Sequence, residues 1–129
     1  MPTILIIDDE PDVREFLATA LRRPGYQTIT AGNGLEGVHL CRREAVDLVV
    51  TDLVMPGQEG LETIIELRRE HPQLPVIAIS GGERGGNQHY LSAASLCGAE
   101  RIFDKPVSAA SLLAAVHDLI GPPDPTPEA

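Results

Sequence analysis

Apolar residues along the chain fall into two alternating kinds of segment. Thr3–Ile7, Val46–Val50 leading to Asp52, and Pro75–Ser80 are short runs with almost no polar position. Such runs read as strands covered on both faces, as in a parallel sheet. Tyr26–Thr30 and Arg101–Phe103 add two further strands bounded by turn residues. Between these runs the apolar positions recur at helical spacing. Val13, Phe16, Leu17, Ala20 and Leu21 follow Pro11; Leu35, Val38, Leu40 and Cys41 follow the turn Ala31–Gly34; and Leu61, Ile64, Ile65 and Leu67 form a third set. A fourth helix is expected from about Gln88 to Cys97, capped by Gly98. The last carries Ala109, Leu112, Leu113, Val116, Leu119 and Ile120. Pro24-Gly25 and His71-Pro72 stop the first and third helices.

Five strands alternating with five helices predict an α/β fold, a doubly wound five-stranded parallel sheet with helices on both faces. One domain is expected over residues 1–120. Residues 121–129, Gly-Pro-Pro-Asp-Pro-Thr-Pro-Glu-Ala, are too rich in proline and too poor in apolar side chains to fold, so they read as a disordered tail or the stump of a linker.

Composition narrows the functional classes. The 129 residues carry 19 Asp and Glu against 10 Lys and Arg, a formal net charge of -9. That balance argues against direct binding of nucleic acid or of an anionic membrane surface, since both need clustered cations. No apolar run approaches the roughly 20 residues of a spanning helix, and Met1–Ile4 lacks a signal-peptide pattern, so a cytoplasmic location is expected. Cys41 and Cys97 then read as reduced, small, helix-borne residues. His39, His71, His89 and His117 show no paired spacing and read as solvated.

The chemistry gathers at strand ends. Asp52 ends an apolar run and is followed by Pro56-Gly57, which places it at the C-terminal edge of a strand. Taken alone it has two readings, a ligand-facing carboxylate or a turn and cap residue. The neighbouring runs tip the balance. The first, fourth and fifth strands deliver Asp8 and Asp9, Ser80, and Lys105 to the same edge. Carboxylates gathered there repel one another by about 4 kcal/mol per pair at about 4 Å and an effective dielectric of about 20, more than one lysine offsets. A hard divalent cation, Mg²⁺, suits an oxygen-only ligand set with room for a phosphate oxygen. Asp52 then fits a nucleophile toward phosphorus. Lys105 supplies a point charge, and the Ser80 hydroxyl and the Gly81 backbone supply hydrogen bonds.

Four ordered motifs resemble the receiver domain of bacterial two-component response regulators. These are Ile4–Pro11 with its Asp8-Asp9 pair, Asp52–Pro56 with Gly60, Ser80-Gly81, and Gly98-Ala99 through Lys105-Pro106. The resemblance spans about residues 3–120. It implies the flavodoxin-like strand order 2-1-3-4-5, for which a chemotaxis relative is a standard example. It further implies that Asp52 takes a phosphoryl group from the phosphohistidine of a histidine kinase or phosphotransfer protein. Mg²⁺ would be held by Asp9, Asp52 and the Val54 carbonyl, with Asp8 acting through water. Such a domain catalyses its own phosphorylation without being a turnover enzyme. It signals through contacts with a downstream protein target or an attached output domain, or through a phosphorylation-dependent dimer, and it occurs alone or at the front of a longer regulator.

Two departures stand out. The family often carries an aromatic switch three residues before the lysine, where this chain has Ile102; Phe103 beside it is expected to face the opposite side of the sheet. The loop Gly81–Gly86 is rich in glycine and longer than the family leads one to expect. The family's positions for tuning hydrolysis correspond to Val54 and Gly82, neither with a polar side chain, so a long-lived phosphoryl group is expected.

Other classes fit less well. A pseudo-receiver that binds partners without accepting phosphate is the alternative, and the joint presence of Asp8, Asp9, Asp52, Ser80 and Lys105 speaks against it. A phosphatase of the haloacid dehalogenase type wants an acid two residues after its nucleophile, where this chain has Val54. A flavin carrier is weakened by having only Phe16, Tyr26, Tyr90 and Phe103 as aromatic residues.

Overall fold

The structure is a computed structural model that describes residues 2–53, 60–80, 98–104 and 106–123. In chain order the elements are β1 (Thr3–Ile7), α1 (Pro11–Arg22), β2 (Gln27–Ala31), α2 (Gly34–Arg43), β3 (Leu48–Asp52), α3 (Gly60–Glu70), β4 (Val76–Ser80), β5 (Arg101–Asp104) and α4 (Ala109–Ile120). The helix expected near 88–97, the glycine-rich loop at 81–86 and the tail beyond Pro123 lie outside the described residues. The five strands form one parallel sheet in the order β2-β1-β3-β4-β5.

Side-chain alternation divides the core between the two faces of the sheet. Leu5, Ile7, Val49, Val76 and Ala78 join Val38 and Cys41 of α2 and Ile64 and Leu67 of α3. Ile4, Ile6, Leu48, Val50, Ile77 and Ile79 join Leu17, Ala18 and Leu21 of α1 and Leu112, Ala115 and Val116 of α4. Consecutive strand residues thus serve opposite layers, which is why the strands must be apolar throughout. Ile102 packs with the α2/α3 layer and Phe103 with the α1/α4 layer, so the ring does face away from Ile102, as alternation requires.

Three apolar helix positions depart from expectation. Phe16, Leu35 and Ile65 are 50%, 59% and 53% exposed. Each borders the stripe its helix turns to the sheet, and a helix lying on a sheet buries only the centre of that stripe. In α1 the buried set is Leu17, Ala18, Ala20 and Leu21. β2 begins one residue later than expected, and Tyr26 lies just before it, its ring buried in the α1/α4 layer. Asn33 caps α2 by accepting from the Glu36 N–H, and Ser108 caps α4 by accepting from the Ser111 N–H.

A candidate divalent-metal and phosphoacceptor site

Strand register brings the acidic residues together. Ile7 of β1 lies opposite Thr51 of β3, so Asp8, just past β1, and Asp52, the last residue of β3, lie side by side. Oxygens of Asp8, Asp9 and Asp52 lie within 4.8 Å of one another. Asp8 and Asp52 are 1% and 4% exposed, and Asp9 is half-buried. The sheet buries the first two because their strands are central, while the β1–α1 corner leaves Asp9 nearer solvent.

Asp8 is fixed at three points. Its N–H donates to the Ala31 carbonyl at 3.1 Å, extending the β1–β2 ladder by one rung. Its Oδ1 accepts from the Glu10 N–H at 2.9 Å, and its own carbonyl accepts from Arg14 Nη1 at 2.8 Å. Asp52 is held by the sheet, opposite Ile79 of β4, with the Leu53 N–H donating to the Ile79 carbonyl at 2.9 Å. The fully buried Thr51 hydroxyl donates to the Asp52 carbonyl at 3.0 Å.

The remaining expected residues are placed less fully. Ser80 ends β4 opposite Asp104, the last residue of β5. Its backbone therefore reaches the same sheet edge as Asp8 and Asp52. Val54, Gly81 and Lys105 lie outside the described residues, and Lys105 directly follows Asp104 in sequence.

The donor set is carboxylate oxygen alone, with two of its three members buried. Burying ionised carboxylates together is costly unless positive charge compensates them. A hard divalent ion that prefers oxygen ligands matches this chemistry; the softer metals that prefer thiolate or imidazole do not. Nothing in the sequence places Arg14 in this region. Its bond goes to a main-chain carbonyl, and a carbonyl acceptor leaves no trace in residue identity.

Outside this edge, charged groups join α2 to α3. Arg42 pairs with Glu66 and Glu70, and Arg69 with Glu66. The Arg42 hydrogen bond holds the Glu70 carboxyl well below the usual range, at about 2. Cys41 is a free, buried thiol pushed up to about 11 by burial and by nearby Glu70. Among the described residues no helix is long and apolar enough to cross a membrane.

Known proteins share this fold. Residues 4–117 match the family described as response regulator receiver domain. The transcriptional regulatory protein GlrR of Escherichia coli is 32% identical over 91% of this chain and 26% of its own length. The chain spans 17–38% of the first six curated relatives it matches. Among solved structures, a receiver domain protein from Clostridium thermocellum is 29% identical with a TM-score of 0.86, covering 93% of this chain and 94% of that one. The response regulator protein TrrA of Thermotoga maritima, in complex with Mg²⁺-BeF, is 31% identical with a TM-score of 0.82, covering 93% of this chain and all of that one. The chain belongs to the response regulator receiver domain family of two-component systems.

Proposed function

We propose that this receiver accepts a phosphoryl group on Asp52 from a phosphohistidine of a histidine kinase or phosphotransfer protein. The observation that carries the reading is the convergence of Asp8, Asp9 and Asp52 within 4.8 Å at the C-terminal edge of the sheet. In the transfer, an Asp52 carboxylate oxygen forms a bond to phosphorus as the phosphorus–nitrogen bond breaks. The electron pair of that bond stays on the imidazole nitrogen, which takes a proton from solvent. Asp9, Asp52 and the Val54 carbonyl would hold Mg²⁺, with Asp8 acting through water; the ion supplies charge neutralisation at the phosphoryl oxygens. Support comes from the donor chemistry and from TrrA, whose structure contains Mg²⁺-BeF.

Asp52 is rigidly aimed, because both its neighbours are buried and its strand is paired on either side. Preorganisation of this kind is most of what phosphoryl transfer asks of a protein. Lys105 is assigned a balancing charge, and the Ser80 hydroxyl and Gly81 N–H are assigned hydrogen bonds to the transferred group. Val54 and Gly82 offer no side chain to orient water, so the acyl phosphate is expected to persist well beyond seconds. The receiver family is a signalling module and not a classical turnover enzyme. The downstream partner is a separate protein target, a second copy, or an output domain in a longer chain, which the name of GlrR suggests could regulate transcription.

The test is chemical trapping. After incubation with acetyl phosphate and Mg²⁺, borohydride reduction and peptide mapping should place the acyl phosphate at position 52. Modification mapped to any other carboxylate, or none, contradicts the assignment.

A further inference from the structure

We infer that Arg14 is a positioning residue for the divalent-metal site, acting through the backbone of Asp8; this rests on the reading of Asp8, Asp9 and Asp52 as that site. Arg14 lies on the first turn of α1, and its Nη1 donates to the Asp8 carbonyl at 2.8 Å. The same guanidinium lies over the β2–α2 corner, with Nη1 3.5 Å from where a Cβ on Gly32 would sit. That corner is itself held in place. The Gly32 N–H donates to Glu36 Oε1 at 2.9 Å and the Glu36 N–H to Asn33 Oδ1 at 2.8 Å. The Asp8 N–H reaches Ala31, the residue before Gly32. Arg14 thus holds the β1–α1 corner at the point where it abuts the β2–α2 corner.

The peptide whose carbonyl Arg14 grips links Asp8 to Asp9, so the bond fixes the orientation of both acidic residues at once. With the Glu10 N–H on Asp8 Oδ1, it limits how the carboxylates can turn. A cation here also has an opposite effect. Its charge repels an incoming divalent ion, so deletion of the charge alone would tighten metal binding. The two roles predict opposite signs, which makes the inference decidable. Residues that orient metal ligands typically change affinity by about 10–100-fold when removed.

The experiment measures Mn²⁺ affinity of the full chain by electron paramagnetic resonance of the free ion, and Mg²⁺ affinity by competition. It compares wild type, Arg14→Met, which keeps the apolar stem, and Arg14→Lys, which keeps the charge and one donor. Arg23→Met, at the far end of α1, controls for net charge. Hydrogen exchange of the Glu10 amide reads the corner independently of metal. Arg14→Met is expected to weaken both metals by roughly tenfold and to speed Glu10 exchange, with Arg14→Lys in between and Arg23→Met unchanged. Equal or tighter binding in Arg14→Met overturns the positioning role. A wild-type chain that binds neither metal overturns the reading of the acidic site, and this inference with it.

Discussion

The Tyr26 hydroxyl donates to the Gly121 carbonyl at 2.6 Å, tying the start of β2 to the residue that ends α4. Gly121 takes a positive φ of 81°, and Pro123 packs beside Gly25, so the chain leaves α4 along the α1–β2 turn. Tyr26→Phe keeps the buried ring and removes the bond. It is expected to lower unfolding free energy by about 1 kcal/mol in urea titration and to speed amide exchange in the last turn of α4. Unchanged exchange there would show that the bond does not hold the helix end.

The Arg42 and Glu70 pair makes a prediction about acid. Glu70 stays ionised in the folded protein down to about 2, whereas an unfolded chain protonates glutamate near about 4.3. Between those values the unfolded state binds more protons, so this contribution is present above the window and is lost as pH falls through it. Thermal melts from pH 5 to pH 2.5, roughly that window, should therefore fall more steeply for wild type than for Arg42→Ala. Parallel curves would contradict the pairing.

Cys41 should be chemically quiet. The thiolate is the reactive form, and a thiol shifted to about 11 and sealed in the α2/α3 layer offers little of it at neutral pH. Peptide-resolved labelling with a maleimide at pH 7.5 should modify Cys41 only on the timescale of opening, and promptly once urea unfolds the chain. Rapid native labelling would show that the α2/α3 layer is open.

Gly37 faces β1 so closely that an added Cβ would overlap Cδ1 and Cγ1 of Ile7. Helix propensity alone favours alanine there by about 1 kcal/mol. Overpacking against a fully buried side chain costs about 1–3 kcal/mol, so Gly37→Ala is expected to destabilise on balance. Ile7 directly precedes Asp8 in the chain. A rise in melting temperature would mean that Ile7 repacks without cost.

The sheet and its acidic edge were legible in the sequence for a shared physical reason. Central parallel strands must be apolar on both faces, so Thr3–Ile7, Leu48–Asp52 and Val76–Ser80 stand out as unbroken runs, and the first polar residues after β1 and at the end of β3 mark the edge. Strand alternation also sufficed to send Ile102 and Phe103 to opposite layers. Helix faces were read less well. Helical spacing cannot separate the centre of a stripe from its border, so it does not tell exposed Phe16, Leu35 and Ile65 from their buried neighbours, nor mark Ala18 as buried. Arg14 and Tyr26 were missed in their roles because both act on main-chain carbonyls, whose positions only the fold reveals.

Phosphate acceptance on Asp52 at the acidic edge is read out by the intact mass of the chain after treatment with acetyl phosphate, with and without Mg²⁺. A gain of one phosphoryl group that requires Mg²⁺ and disappears in Asp52→Asn is expected. No gain under either condition, or an equal gain in Asp52→Asn, would contradict it and favour a pseudo-receiver that binds partners without accepting phosphate.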